Sequence, residues 1–454
     1  MLLLLWPLAA FGGRHGATAI PFSLSCILFA LALRPSVSAH GPARVLDFAA
    51  LATAVVALLQ AVPLPRGVVD SLSPHAALLR RSLTLEPSVP AWLPFSIDGG
   101  ATLWASAVIA GAIALFFAAR AVLARGGVRQ TVRGISALGF VFSFVAIAQA
   151  ATAGRSIYWR FPTEYEGPLP FGPFVNRNHF ATWVIMAAPL CLGYIVARAN
   201  KADIQSAGSI NRRARLARMA DGRTLWLTAA GAVMIGALLL SLSRSGILSL
   251  AGAGVMSLFM LRRQASAGRG WWLVAVLAVT VGLGISRADL PALTDRFIRT
   301  GSSVENRLRI WKDTRPVVRD FWLTGTGAGT YRTAMLYYQR SDRVVQFNQA
   351  HNHYLQVAAE GGIVLLAMVA CALGALAGAV RKRLAAEKSG IYWIRAGAAC
   401  GLMAVALQSL WETGLVMPAN AALAAVLAAI VLHERLPAEK SIFMADGAET
   451  GDRY

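Results

Sequence analysis

Charge is scarce in this chain. Only 14% of its 454 residues are Asp, Glu, Lys or Arg, against about 25% in an average globular domain. Meanwhile 56% are hydrophobic and the mean hydropathy is +0.56. A soluble core cannot absorb so much apolar side chain, so the composition specifies a polytopic membrane protein. Acid is scarcer still, with 22 Asp plus Glu against 43 Lys plus Arg and a formal net charge of +21. That excess would suggest nucleic acid in a soluble chain. Here the basic clusters fall in short loops between apolar runs, without interleaved aromatics, which excludes a nucleic-acid role. Cysteine is nearly absent: Cys26, Cys191, Cys371 and Cys400 lie inside apolar stretches, have no Cys-x-x-Cys spacing and read as small hydrophobes. No Asp-x-Asp occurs, and Glu164-x-Glu166 reads as a solvated pair, which disfavours a metal-dependent transfer built on carboxylates. There is also no internal repeat and no low-complexity segment.

Long apolar runs are what the chain has in quantity. A membrane helix needs about 20 mainly apolar residues. Such runs fall near 2–12, 17–33, 45–62, 102–119, 134–152, 179–197, 224–242, 244–261, 271–286, 353–380, 392–410 and 419–433. The first is short; it lacks the basic leader and cleavage site of a signal peptide and is expected to be a span. The expected fold is all-α, with about 12 transmembrane helices.

Basic residues bias loops to the cytoplasm. Four clusters fall on one side: Arg120, Arg125, Arg129 and Arg133; Arg198, Lys201, Arg212, Arg213, Arg215, Arg218 and Arg223; Arg262, Arg263 and Arg269; and Arg381, Lys382, Arg383 and Lys388. Both termini are then expected in the cytoplasm. The opposite side receives 63–101, 153–178, 243, 288–352 and 411–418. Residues 63–101 carry six prolines with Trp92 and Asp98; 154–178 carry four prolines and Tyr158, Trp159 and Phe161. Such loops read as shaped surface. The segment 288–352 is too long for a connector and is expected to hold short helices, since Asn306–Phe321 has helical apolar spacing.

Four constellations on that side can carry chemistry. Ser243-Arg244-Ser245-Gly246 interrupts two apolar runs so closely that Arg244 belongs at the membrane boundary. An arginine there is a functional candidate, with snorkelling at a helical hairpin as the bland alternative. Asn306-Arg307-Leu308-Arg309-Ile310-Trp311 lies in a segment with ten basic and six acidic residues, and guanidinium forks suit phosphate oxygens. Of Arg307 and Arg309, one is expected to be a solvated or ion-paired residue. The following Gly325-Thr326-Gly327-Ala328-Gly329 lacks the Lys-Ser/Thr of a P-loop and reads as a turn. His351-Asn352-His353-Tyr354-Leu355 ends the long segment, with Glu360 and Gly361-Gly362 beyond it. A histidine at a membrane-edge cavity suits general-base work, while Asn352 also suits a helix cap. A zinc site is disfavoured because His351 and His353 lack a third ligand at suitable spacing. Asn176-Arg177-Asn178-His179-Phe180 opens a span in the same style, and caps again compete.

Taken in order, these strings resemble the O-antigen ligase and polymerase family of bacterial inner-membrane glycan transferases, over roughly residues 135–380. The resemblance implies a GT-C-like helical membrane fold with a large periplasmic loop. It also implies a glycan donor carried on undecaprenyl diphosphate, a hydroxyl acceptor on lipid A-core or on a growing glycan, contact with membrane lipids, inversion at the anomeric carbon, and neither metal nor nucleotide sugar. Arg244 matches the family's arginine at the start of a span, Arg307 its loop arginine and His351 its essential histidine. Arg309, Arg177, Asn352, His353, Asn178 and His179 are expected to bind the diphosphate or glycan. Arg177 departs from the pattern, since many members have proline between the two asparagines. Expected segments are N-terminal helices 1–134, central helices 135–287, a periplasmic loop 288–352, and C-terminal helices with a cytoplasmic tail 353–454. Within the family a ligase, a polymerase and a protein O-oligosaccharyltransferase share this donor chemistry. A transporter of anions or solutes is the alternative of another class; it predicts two repeated halves, and none is present.

Overall fold

The computed structural model describes residues 1–83, 90–163, 170–205, 221–261, 300–342 and 344–434. Of the residues named above, Glu164, Glu166, Arg212, Arg213, Arg215, Arg218, Arg262, Arg263 and Arg269 lie outside these, as does the expected span 271–286. Among the described residues the helices are α1 (Leu2–Ala9), α2 (Gly16–Leu33), α3 (Pro42–Leu59), α4 (Arg66–Leu72), α5 (Pro74–Leu83), α6 (Gly99–Arg125), α7 (Val128–Thr152), α8 (Arg177–Gln205), α9 (Gly222–Leu240), α10 (Arg244–Leu261), α11 (Thr300–Asp320), α12 (Tyr331–Tyr338), α13 (His353–Ala386), α14 (Tyr392–Gln408) and α15 (Pro418–Leu432). Seven of them, α2, α3, α6, α7, α8, α9 and α13, are long and apolar enough to cross a membrane. The chain is therefore an all-α, multi-pass membrane protein. α14 and α15, with 17 and 15 residues, fall where spans are expected but are shorter, and α10 falls on the expected span 244–261.

The expected first span does not form as one helix. α1 has 8 residues, about 12 Å of rise, well under the roughly 30 Å of a hydrocarbon core. A 3-10 turn at Phe11–Gly13, with Gly12 and Gly13 at positive φ, then leads into α2. Proline content explains part of this, since Pro7 removes a helix donor near its end.

α8 is the hub of the bundle, buried almost throughout between Phe180 and Ala199, and α7, α9, α10, α14 and α15 pack around it. Its closest partner is α14, and glycine sets that distance. A Cβ on Gly193 would lie 2.4 Å from the Trp393 carbonyl oxygen; one on Gly397 would lie 2.4 Å from that of Pro189, and one on Gly401 2.7 Å from that of Met186. Gly397 and Gly401 form the small-xxx-small spacing that lets helix backbones meet in lipid. The two helices run antiparallel, so the first turn of α8 meets the residues that follow α14.

The segments expected on the outer side build a second, smaller core. Val69, Leu79 and Leu93 pack with Val317, Phe321, Tyr331, Met335 and Tyr338. Two short antiparallel pairs, Leu64–Pro65 with Trp92–Leu93 and Ser156–Ile157 with Phe161–Pro162, tie off the turns. This second core docks on a break in α13. Gly362 leaves helical geometry (φ 59°, ψ −163°), which frees backbone groups in an apolar helix. The 322–328 turn satisfies them: Thr326 N donates to Ala359 O (3.0 Å), Gly327 N to Glu360 O (2.8 Å), and Ile363 N to Trp322 O (2.7 Å). Gln60, just past α3, reinforces the junction by donating to Thr324 O and Glu360 O and accepting from Ala328 N. Irregular backbone at membrane depth is tolerated only where protein supplies such partners.

At the opposite end, the basic residues are more than markers of orientation. Arg120 forms a two-pronged ion pair with buried Asp47 (2.7 and 2.9 Å) and lies 5.1 Å from the ring centroids of Phe116 and Phe117. With Lys382 and Arg383 it lines a cavity of about 500 Å³.

Candidate active site

Glu412 gathers the site. It lies between α14 and α15, and its side chain is 1% exposed. Oε1 accepts from Arg307 Nη2 and from Asn178 Nδ2, both at 2.7 Å, and Oε2 faces His351 Nδ1 at 3.4 Å. Burial pushes this carboxyl up, but the hydrogen bond and charge of His351, with Arg307 and His179, hold it below its ordinary range. Glu412 is thus an anion at neutral pH, and it fixes a proton on His351 Nδ1, leaving Nε2 as the imidazole's acceptor.

Each partner arrives by a local rule. Asn176 caps α8, its Oδ1 accepting from Asn178 N (2.8 Å), which turns the Asn178 amide toward Glu412. Arg177 opens α8 at a first-turn position that also suits proline, a physical reason for the two residue types to exchange there. Arg307 and Trp311 are one turn apart on α11 and share a face. Arg307 reaches Glu412 while Trp311 Nε1 donates to Ala350 O (2.9 Å), and Gln356 Oε1 accepts from Ala350 N (3.2 Å). The residue after this pinned one, His351, has φ 47°, a left-handed conformation that costs a non-glycine residue energy and that clusters at functional sites. Arg307 Nε is buried and has no hydrogen-bond partner among the described residues, which leaves one guanidinium donor uncommitted.

The Ser243–Gly246 string closes one side. Leu242 has φ 53°, Ser243 Oγ accepts from Gly246 N (3.4 Å), and Gln408 Nε2 of α14 donates to Ser245 Oγ (3.4 Å). Gly246 lets α10 approach Ala181 of α8, where a Cβ would come within 2.9 Å. Arg244, half-buried at the start of α10, lies within electrostatic range of Arg307.

The expected residues therefore separate. His351, Arg307 and Asn178 meet at Glu412, and Arg244 and His179 are within reach of that cluster. Asn352 is a cap, with Oδ1 accepting from Leu355 N (3.0 Å). His353 N donates to Ser409 O (2.8 Å), and its buried Nδ1 has no partner among the described residues. Arg309 is not brought to the cluster. It pairs with Glu305 on an exposed face of α11, so of the two neighbouring arginines it is the solvated one. The glycine turn also proves structural, because the carboxylate it cradles is the chain's own: Glu360 accepts from Gly329 N (2.9 Å) and Tyr331 N (3.1 Å).

Sequence reasoning places 411–418 at this end yet gives Glu412 no role. The available signal was a carboxylate between two apolar runs in a chain so poor in acid. Asn420 is missed in the same way; it ties His179 O to Gly414 O, joining the first turn of α8 to the residues after Glu412.

A buried carboxylate facing a histidine, beside arginines at one end of a helical bundle, is an arrangement that suits proton transfer next to an anion. Residues 229–370 match the family model described as O-antigen ligase. No curated protein matches the chain. The matched stretch contains Arg244, Arg307 and His351, while Asn178 and Glu412 lie outside it and are brought in by the packing of α8 on α14.

Proposed function

We propose that this protein is an O-antigen ligase-type glycosyltransferase. It moves a glycan from undecaprenyl diphosphate to a hydroxyl acceptor, lipid A-core, at the periplasmic face of the inner membrane, by an inverting reaction that uses no metal. The observation that supports this reading is the Glu412 cluster, in which one buried carboxylate faces His351 and pairs with Arg307.

His351 Nε2 takes the proton of the acceptor hydroxyl as its oxygen attacks the anomeric carbon, on the face away from the diphosphate. The bond from that carbon to the diphosphate oxygen breaks, and undecaprenyl diphosphate leaves with the electron pair and one more negative charge. Arg244 and the exposed part of the Arg307 guanidinium stabilise that charge. Glu412 stays ionised and stabilises the imidazolium formed on His351, the role an acidic residue plays behind a histidine base. Asn178 holds the carboxylate in place. The glycine turn, Gln60 and Glu360 fix the outer core on α13, and so fix the α11 face that carries Arg307.

Deletion of the gene tests the reading at the level of the cell. Lipopolysaccharide without its polymer, with lipid-linked polymer accumulating, is the expected result. A band of lipopolysaccharide with a single repeat would make the protein a polymerase instead. An unchanged ladder would overturn both. Complementation with His351→Ala and Arg244→Ala should restore membrane-inserted protein but no transfer.

A further inference from the structure

The turn between α1 and α2 is built with unusual constraint for a connector near a chain end. Tyr158 Oη donates to Ala9 O (2.8 Å), and the Phe11 ring meets Phe161 edge-on at 5.2 Å. Gly12 and Gly13 follow, both at positive φ. A Cβ on Gly12 would lie 2.5 Å from the Phe174 ring, and one on Gly13 2.8 Å from Pro418. Only glycine fits at either position, so the backbone is wedged between the turn before α8 and the head of α15. Those two segments lead into Asn178 and follow Glu412.

Arg14 comes next. Its position is set by the wedge, yet its side chain is exposed, and among the described residues it makes no ion pair or hydrogen bond. It is within electrostatic reach of His179. Local charge gives it a use. Arg244 and Arg307 set against Glu412 leave one net positive charge before Arg177 is added, whereas a diphosphate carries more than one negative charge and gains another as it leaves.

We propose that Arg14 is a further diphosphate ligand of the site, supplied by the N-terminal turn and held in register by Gly12 and Gly13. The inference rests on the reading of the site as one for a lipid-linked diphosphate. A guanidinium binds phosphate oxygens through paired N–H donors, and here it does so from a fixed backbone position without giving up a protein partner.

The test is binding of undecaprenyl diphosphate to the purified full-length protein in detergent, with undecaprenol as the uncharged comparison. Arg14→Gln should bind the diphosphate about tenfold more weakly than wild type, and Arg14→Lys should fall between them. Arg125→Gln removes the same charge from the exposed last turn of α6 at the other end of the bundle, and should bind as wild type does. Wild-type preference for the diphosphate, with Arg14→Gln within twofold of it, would overturn the role of Arg14 and leave the site reading intact. No wild-type preference over undecaprenol would overturn the site reading itself. Equal weakening by Arg125→Gln would show that only net charge matters, and would also remove Arg14 from the site.

Discussion

Replacing Glu412 by glutamine keeps the shape of the side chain and removes its charge. Two effects follow. Arg307 loses the anion 2.7 Å away. Breaking a buried ion pair from one side costs about 3–5 kcal/mol when the remaining charge is trapped. Arg307 is 25% exposed and can turn toward water, so the loss of stability should be smaller, about 2 kcal/mol. The effect on chemistry should be larger. Without the carboxylate, His351 Nδ1 has no fixed acceptor and the imidazolium no counter-charge, which removes roughly 10²–10⁴ in rate, or about 3–5 kcal/mol of barrier. Transfer by purified Glu412→Gln, with donor and acceptor supplied, should show a reduced kcat with donor KM little changed, while thermal unfolding shows a fold still intact. The pH profile separates a positioning role from a structural one. Because the Glu412 carboxyl is held below its ordinary range, its contribution is complete above about pH 4.3 and is lost only as pH falls through its lowered value. Wild type should therefore lose stability under strong acid along a limb that Glu412→Gln lacks. Transfer by the variant within threefold of wild type would refute the reasoning.

Arg309→Ala should leave transfer within twofold of wild type and Arg307→Ala should lose at least 100-fold, measured on the same acceptor, because only Arg307 reaches the cluster. Gly397→Val should force α14 away from α8, where a Cβ already lies 2.4 Å from a carbonyl oxygen, and lower both the melting temperature and transfer. Asp47→Asn strands Arg120 at the other end of the bundle, and should cost about 3 kcal/mol in unfolding measurements without changing donor KM.

Much of the bundle is legible in hydropathy. The run 17–33 becomes Gly16–Leu33 and 392–410 becomes Tyr392–Gln408, because a lipid-facing helix must be apolar over its whole length. Helix ends are less visible: α6 runs to Arg125 and α13 to Ala386, since hydrogen bonding continues past the first arginine that stops an apolar run. The break at Gly362 is hidden for the converse reason, lying inside an apolar run whose composition does not change. In the candidate site, the sequence left open which of Arg307 and Arg309 is solvated; the helix decides it, since Arg309 is two residues on and about 200° round from Arg307. Glu412 was not readable, because two of its partners lie 105 and 234 positions away and no second carboxylate stands near it in sequence. A lone acid has no spacing to recognise. Its meaning comes from the glycines that bring α14 against α8.

The docking of the 322–328 turn on the broken helix also fixes an order of biogenesis. As the chain emerges, Gln60 is already in place when the glycine turn is made, but the carboxylate that cradles the turn belongs to Glu360, 31 positions beyond Gly329. The second core therefore stays unfinished, the backbone donors of its turn without these partners, until α13 is in place. Arg307 and His351 cannot settle beside Glu412 before then, because that residue follows α13 in the chain.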